Sequence, residues 1–415
     1  MKIGYSYAPL TINARTDKRI VSKNFSNESF LETFKKNLQG LKKILAHNIN
    51  NDIHLFRVTS DILEDINQYD ASTDWTSTLN TELTQISNLI KNNNIRISMF
   101  PQKYTLLNSP NEEVVKKSID FINAHTEFLK ALKLDTSHKI VLEIGGVYTN
   151  KENSVQRFID TYNLLSNETK DRIVLVNDVK NYSFEDVLTI AKEVNSPIIL
   201  NTLYDKVKPS TNLTLFEKLE EVSKTWENTF GKMFVHYSQQ KHSKKKGQQS
   251  DTIFTDKFLE FYNIIKKFDT DITLDVNDGD ISTLKCQNII KELQENKFDE
   301  KLIMEEYKKY KLLIVEKGIE FDKKALDIAR STNSIIEFYH YLDSILESFI
   351  DRRSISLALR DAIKIMSNSI KASEKNHIEK LLLNNKLSRC KSYMHEVAIR
   401  NNSEDILSTY FFSQI

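Results

Sequence analysis

The stretch from Ile95 to Pro110 reads Ile-Arg-Ile-Ser-Met-Phe-Pro-Gln-Lys-Tyr-Thr-Leu-Leu-Asn-Ser-Pro, and its pattern recurs through most of the chain. Its first half alternates apolar and polar residues and stops at Phe100-Pro101, which predicts a short strand that ends in a surface loop. Apolar residues then recur at helical spacing, with Ser109 as the predicted N-cap and Pro110 as the first helical residue. The stretch therefore predicts a strand, a long loop and a helix in succession.

Strand and helix patterns of this kind alternate eight times along the chain. The predicted strands are 2–6, 53–58, 95–99, 139–144, 172–176, 197–201, 233–237 and 271–276. The helices that follow them are 27–47, 79–90, 111–132, 152–165, 183–194, 213–226, 254–267 and 281–294. The strands are nearly continuous apolar runs, which is typical of parallel strands buried on both faces. Eight such units, with no GxGxxG motif opening any of them, favour a (β/α)8 TIM barrel over an open doubly wound sheet.

The remainder of the chain contains no strand pattern. Six segments after Phe298 have helical periodicity, namely 300–316, 321–331, 334–351, 354–370, 375–385 and 389–399. We therefore predict two domains, a TIM barrel over residues 1–296 and an all-α C-terminal domain over residues 297–415.

Composition limits the class of protein. Of the 415 residues, 40% are hydrophobic, which is ample for a large core, while 58 Lys and Arg nearly cancel 57 Asp and Glu. Any basic surface must therefore be local. The two cysteines, Cys286 and Cys390, are far apart, which excludes a zinc or disulfide framework. No apolar run approaches the ~20 residues that cross a bilayer. We expect an intracellular protein, cytoplasmic or nucleoid-associated, that is neither secreted nor membrane-bound.

In a TIM barrel the functional residues stand at the carboxyl ends of the strands. Four residues predicted there could bind a divalent cation, namely Glu143, Asp178, His236 and Asp275. Converging carboxylates and an imidazole could hold one metal that activates water and polarises a phosphodiester. The alternatives are that Glu143 or Asp275 pairs with Arg57 or a lysine, and that His236 is a core histidine with its hydrogen bonds satisfied.

The loop after the seventh predicted strand is rich in lysine. Lys241, Lys244, Lys245 and Lys246 lie within six residues at the predicted active face. Such a cluster could bind phosphate groups, although a solvated loop tip has the same composition.

The chain resembles the UV-damage endonucleases over roughly residues 1 to 290. In the first loop the resemblance rests on Leu107-Asn108-Ser109-Pro110 and the aromatic residues before it. Further matches are His47-Asn48, Asp52-Ile53, Phe56-Arg57, Gly145-Gly146, Lys151, Arg157-Phe158, Asn177-Asp178, Glu185-Asp186-Val187, His236-Tyr237-Ser238 and Ser250-Asp251. The resemblance implies the same eight-stranded barrel. It also implies a cluster of divalent metals, typically manganese, that cleaves DNA 5′ to UV photoproducts.

By this resemblance most metal-binding positions are substituted. Phe100, Glu143, Tyr204 and Gln249 stand where the family has His, Val176 and Asp275 where it has Glu, Asn201 where it has Asp, and Phe234 where it has Lys. His236 is unchanged. In the family a Gln-Tyr pair wedges into damaged DNA, and here that pair is Lys103 and Tyr104. Because Val has no lone pair and Phe places hydrocarbon where charge is needed, the cluster should not form.

We therefore expect a DNA-binding protein of DNA repair with a degenerate metal site and with incision lost or weak. Tyr5, Lys103, Tyr104 and the four loop lysines are the expected contacts to duplex DNA, whether damaged or undamaged. The expected cofactor is none, or at most a single divalent metal such as manganese, and no catalytic residue is assigned. The first alternative is an active metal-dependent endonuclease that nicks DNA 5′ to UV photoproducts. A third hypothesis, a sugar isomerase or other small-molecule barrel enzyme, has no support from the loops.

Overall fold

A computed structural model describes residues 1–20, 23, 25–69, 74–227, 230–242, 244–295, 299–348 and 350–413. Eight strands form one parallel sheet in the order β6-β5-β4-β3-β2-β1-β8-β7. They are β1 Ile3–Ser6, β2 Leu55–Thr59, β3 Arg96–Phe100, β4 Lys139–Glu143, β5 Ile173–Val176, β6 Ile198–Ile199, β7 Met233–Tyr237 and β8 Thr270–Leu274. The sheet is nearly closed, because Asn201 forms a parallel bridge with His236 between the two edge strands.

Helices separate the strands, so the predicted TIM barrel is confirmed. They are α1 Asn27–Asn50, α2 Trp75–Thr78, α3 Asn80–Asn92, α4 Glu112–Ala131, α5 Lys151–Asn163, α6 Asn167–Arg172, α7 Phe184–Val194, α8 Thr202–Val207, α9 Leu215–Lys224, α10 Thr255–Ile265 and α11 Gly279–Glu295. A helical C-terminal region follows, as predicted. Its helices are α12 Glu300–Lys317, α13 Ile319–Ser331, α14 Ile335–Leu346, α15 Arg352–Ile365, α16 Ala372–Leu383, α17 Leu387–Arg400 and α18 Glu404–Leu407.

The start of α4 differs from the prediction. Asn111, not Ser109, is the N-cap, because its side-chain oxygen accepts the backbone N–H groups of Glu113 at 2.9 Å and Val114 at 3.3 Å. The Ser109 hydroxyl instead accepts the N–H of Asn111 at 3.1 Å. Pro110 therefore precedes the helix rather than beginning it, and the prediction for Ser109 and Pro110 was wrong by two residues.

Part of the barrel interior is an apolar cluster. Val141, Val174, Val176, Ile199 and Phe234 form one buried cluster there, against which Phe100 and Trp226 pack. At Gly4 strands β1 and β2 come so close that a Cβ atom would overlap the backbone oxygen of Leu55. A side chain at that position would force the two strands apart.

The described contacts divide the chain into two units. The barrel unit comprises Met1–Ala8, Ala14–Ser250 and Tyr262–Val276, and the helical unit comprises Pro9–Asn13, Asp251–Phe261 and Asn277–Ile415. The predicted boundary between residues 296 and 297 falls outside the described residues and stays a prediction. Among the described residues, none of the helices has the length and apolar character that a bilayer-spanning segment requires.

The helical unit has a core of its own. Buried apolar residues of α15, α16 and α17 meet there. They include Ile378 and Leu381 of α16 and Cys390 and Met394 of α17. Charged side chains are also buried in this unit. The Nζ atom of Lys285 lies 2.5 Å from Oδ1 of Asp343. Buried charges that are paired in this way tie the helices together.

Candidate functional site at the barrel mouth

The parallel register brings the ends of β2, β7 and β8 together around one ion pair. The Arg57 guanidinium lies 2.8 Å from the Asp275 carboxylate, and their side chains are 6% and 3% exposed. The Nδ1 atom of His236 lies 3.5 Å from Oδ2 of Asp275 and 3.4 Å from Nη1 of Arg57. Three of the residues predicted at the strand ends are therefore in contact.

Further polar groups complete the surroundings of the Asp275 carboxylate. The hydroxyl of Ser6 donates to Oδ1 at 3.4 Å, and the side-chain amide of Asn201 donates to Oδ2 at 3.5 Å. Asn201 also caps α8, because its side-chain oxygen accepts the backbone N–H of Tyr204 at 3.1 Å. The position that the resemblance assigns to a carboxylate ligand is thus an amide that orients both Asp275 and a helix.

Burial determines the charge state of His236. Loss of solvation lowers the pKa of His236 to about 4, although Asp275 acts in the opposite direction. The imidazole is therefore neutral at physiological pH. Its Nε2 atom is buried and has no hydrogen-bond partner among the described residues. Burial also disfavours the charged form of Arg57, but Asp275, Tyr7 and Tyr204 together outweigh it and the pKa of Arg57 is raised.

Aromatic rings occupy the space beside this ion pair. The Arg57 guanidinium lies over the ring of Phe100 at 5.4 Å and over the ring of Tyr7 at 5.7 Å. The His236 ring lies 6.2 Å from the ring of Phe100 and 5.9 Å from that of Phe234. The unpartnered histidine nitrogen therefore lies among hydrocarbon rather than among oxygen ligands.

The other two metal candidates have different surroundings. Asp178 organises the loop after β5, since its carboxylate accepts the backbone N–H groups of Lys180 and Asn181 at 2.6 Å and of Tyr182 at 2.9 Å. Glu143 ends β4. Burial, followed by the nearby charge of Asp178, raises the pKa of Glu143 to about 7. A substantial fraction of Glu143 is therefore protonated near neutral pH.

A cavity of about 370 Å³ opens beside these residues. Glu143, Asp178, Phe100, Lys103 and Tyr204 line it, together with residues that the sequence did not single out for binding. Those residues are Gln102, Tyr148, Lys180 and Asn181. Burial, then the charges of Asp275 and Glu143, raises the pKa of Tyr204, so its hydroxyl is protonated.

Asn108 of the Leu-Asn-Ser-Pro stretch contacts two residues that line this cavity, Gly145 and Gly146. Asn108 is fully buried, and its side-chain amide donates to the backbone oxygen of Gly146 at 2.6 Å. Gly145 has φ +117°, and a Cβ atom there would overlap the side-chain oxygen of Asn108. Only glycine combines this conformation with so close an approach. Asn108 and Gly145 therefore lock the loop after β3 to the loop after β4.

No ready-made metal centre exists in the described part of the chain. Among those residues, no three His, Cys, Asp or Glu side chains are grouped so that they could hold an ion. Glu143, Asp178, His236 and Asp275 lie at one end of the barrel, but Asp275 is paired with Arg57 and Asp178 accepts three backbone N–H groups.

The predicted DNA contacts divide into exposed and buried residues. Lys103 is exposed, and Tyr104 is 54% exposed with its hydroxyl donating to Glu64 at 3.3 Å. The prediction for Tyr5 was wrong, because Tyr5 is fully buried and its hydroxyl donates to Asn48 at 2.8 Å. The exposed aromatic residue after β1 is Tyr7, at 55%. Its φ of +75° turns the chain at the end of the strand and so ends the regular alternation of side chains.

The lysine-rich loop after β7 has a defined backbone conformation. The Gln240 side chain accepts the N–H of Gly247 at 2.8 Å and donates to the oxygens of Lys241 and Lys245 at 3.0 Å. Lys244, Lys245 and Lys246 are exposed, and Lys241 is half-buried. Within the described residues, no carboxylate forms an ion pair with the three exposed lysines. Ser243 lies outside the described residues.

Comparison with known proteins identifies the family. A protein of Clostridium perfringens named UV DNA damage endonuclease is 39% identical over 415 residues, which is 100% of both chains. One of Bacillus pumilus with the same name is 25% identical and covers 66% of this chain and 85% of its own length. The crystal structure of SacUVDE has a TM-score of 0.66 and 32% identity, covering 71% of this chain and 99% of its own. The sequence model of the family described as UV-endonuclease UvdE matches residues 8–301, so the chain belongs to the UV-endonuclease UvdE family.

Proposed function

We propose that this chain binds damaged duplex DNA at the barrel mouth and that its incision activity is lost or weak because the metal site is degenerate. The observation that carries the proposal is the buried ion pair between Arg57 and Asp275. A carboxylate that already neutralises a buried guanidinium cannot also neutralise a metal ion without leaving the arginine unpaired.

The surroundings of the ion pair support the same conclusion. A cluster of hard cations needs several oxygen ligands and an open coordination position. Val176 and Phe234 instead belong to a closed apolar cluster, and Phe100 packs against it. Glu143, with its raised pKa, loses part of its negative charge at neutral pH. The residues present do not fit a multinuclear metal centre.

Surface chemistry supports DNA binding. The exposed lysines of the loop after β7 and Lys103 offer cations to phosphate groups, which account for most of the affinity for DNA. Tyr104 offers an exposed ring to an unstacked base, and stacking of this kind does not require a metal. Binding can therefore persist where cleavage has been lost. The names of the similar proteins, UV DNA damage endonuclease, support damaged DNA as the ligand.

A second candidate, active incision with one divalent metal, is supported by one unpartnered atom of His236. The buried Nε2 of His236 has no hydrogen-bond partner among the described residues and could bind a metal as a neutral imidazole does. A metal bound there would have to displace Arg57 from the Asp275 carboxylate.

One experiment separates the two candidates. The purified chain is analysed for bound metal and is incubated with UV-irradiated plasmid in manganese, with the His236→Ala variant as the matched control. We expect less than about one tightly held metal ion per chain and no nicking above background. Nicking by the unchanged protein that His236→Ala abolishes would refute the degenerate site and establish the second candidate.

A gain of metal binding tests the same reasoning in the opposite direction. The combined variant replaces Phe100, Val176, Asn201, Tyr204 and Gln249 by His, Glu, Asp, His and His. It is expected to bind manganese, which then stabilises it against heat, because a ligand that binds the native state raises stability. Single replacements should have little effect, since one added imidazole leaves the other ligands missing.

A further inference from the structure

The helical unit presents an exposed basic tip between α16 and α17. Three residues connect these helices, and the turn is closed by the N–H of Lys386 on the oxygen of Leu381 at 2.9 Å. Asn385 supplies the left-handed conformation of the turn, with φ +55°. We define the hairpin tip as Lys380, Leu383, Lys386 and Arg389, all of which are exposed.

The hairpin tip is anchored by buried residues of the two helices that flank it. Ile378 and Leu381 of α16 and Cys390 and Met394 of α17 are buried in the core of the helical unit. Each tip residue lies within four residues of one of these buried residues, and Lys386 lies in the turn between the two helices. The conformation of the tip is therefore fixed by the core and not by the side chains that it exposes.

The exposed chemistry of the tip is unusual in this chain. Leu383 is 84% exposed, more than any other large apolar side chain among the described residues. Three cations lie within six residues of it in the sequence, and within the described part of the chain none of them forms an ion pair with a carboxylate. Between Arg352 and Arg400 the sequence has eleven Lys and Arg but only four Asp and Glu. The net charge of the whole chain, +1, does not reveal this local excess.

We propose that the hairpin tip is a second DNA-binding site, at which Lys380, Lys386 and Arg389 bind backbone phosphates and Leu383 inserts at a base step. This inference rests on the proposed function, since the barrel is what brings DNA to the protein. Cations that surround an exposed apolar side chain match the groove of DNA, where phosphates flank the stacked bases. The tip lies beyond residues 8–301, the part of the chain that the family model matches, and within the full-length match to the C. perfringens protein.

The test measures the affinity of the full chain for a duplex of about 30 base pairs between about 50 and about 300 mM salt. Changing Lys380, Lys386 and Arg389 to Ala is expected to flatten the plot of log affinity against log salt by about 0.9 for each phosphate that is no longer neutralised, or about 2.7 in total. Leu383→Ala is expected to weaken binding about fivefold and to leave that slope unchanged, because it removes apolar surface and no charge.

The matched control changes two exposed lysines of α12, Lys301 and Lys308, to Ala in the same helical unit. These lysines stand beside Glu300 and Glu305, and their loss should leave both affinity and slope unchanged. The variant with Lys386→Arg and Arg389→Lys, which keeps both charges, should retain binding. Unchanged thermal unfolding of each variant shows that the exposed substitutions leave the fold intact.

Two outcomes would overturn the proposal. One is a tip variant that binds DNA as the unchanged chain does, while the variant lacking Lys244, Lys245 and Lys246 binds weakly; the barrel site then stands alone. The other is a tip variant that loses binding to vesicles of anionic lipid, or self-association, and keeps DNA affinity. Failure of the unchanged chain to bind any duplex would instead refute the proposed function itself.

Discussion

Replacing Asp275 by Asn is expected to destabilise the barrel by about 3 to 5 kcal/mol, because it leaves the Arg57 charge buried without its partner. The two side chains are 6% and 3% exposed and their charged atoms are 2.8 Å apart, so little water screens them. Asparagine preserves the volume of the side chain and can still accept the hydroxyl of Ser6. The measured loss therefore reports the missing negative charge rather than a cavity.

The double change of Arg57 to Met and Asp275 to Leu should cost far less than the sum of the single changes. An apolar pair of similar volume commonly replaces a buried ion pair at little cost, and the rings of Phe100 and Tyr7 offer it apolar neighbours. We expect a coupling energy of at least about 3 kcal/mol between the two positions.

Urea denaturation followed by tryptophan fluorescence measures these changes in the barrel alone. Both tryptophans of the chain, Trp75 and Trp226, lie in the barrel unit, so the signal does not report the helical unit. Added manganese should leave the midpoint of the unchanged protein where it is. The reasoning is refuted if Asp275→Asn lowers the unfolding free energy by less than about 1 kcal/mol. It is also refuted if manganese raises the urea midpoint only when Asp275 is present, because Asp275 then binds metal rather than pairing with Arg57.

Three further predictions concern charge. Changing Lys244, Lys245 and Lys246 to Ala should weaken DNA binding equally at all sequences and flatten its salt dependence by about 2.7, and an unchanged slope in a binding titration would exclude the loop as a phosphate contact. Burial lowers the pKa of His125 to about 4, below its unfolded value, so the unfolded state binds the proton first and stability falls as the pH decreases from about 6.5. His125→Asn should therefore remove about 2 kcal/mol of the loss in unfolding free energy between pH 7 and pH 5, measured with urea; an equal loss in the variant would contradict this. The raised pKa of Glu143 makes stability change with pH in the opposite direction. Its contribution to stability is present at low pH and is lost as the pH rises through about 7. Glu143→Gln should thus stabilise the barrel by about 1 to 3 kcal/mol at pH 8 and hardly at all at pH 4.5, as judged by the urea midpoints at the two values.

The sequence predicts the barrel well because its strands need little context. Runs such as Ile140-Val141-Leu142 are apolar on both faces, which only a parallel sheet covered by helices can bury. Short elements are less predictable. Helices α6 and α8 have six residues each, too few for a helical period to emerge, and α8 depends on a cap from the side chain of Asn201.

The candidate site is predictable as a set of strand ends but not as a set of contacts. That Asp275 pairs with Arg57 was one open alternative. It is decided only when β1 pairs with both β2 and β8 and so brings the ends of those two strands together. The error at Tyr5 has a local cause. Tyr5 and Tyr7 have the same parity in the strand, so the sequence alone cannot reveal that the left-handed backbone at Tyr7 redirects its side chain outward.

The segment Pro9–Asn13 belongs to the helical unit although it follows the first strand of the barrel. Asp280 accepts the N–H groups of Leu10 at 3.0 Å and Thr11 at 3.4 Å across about 270 residues of sequence. A ribosome that adds ~5–20 residues per second needs roughly 15 to 50 s to make the chain between them. During synthesis this segment therefore lacks its contacts to Asp280 for tens of seconds, and a chaperone or protease has access to residues 9–13 in that period.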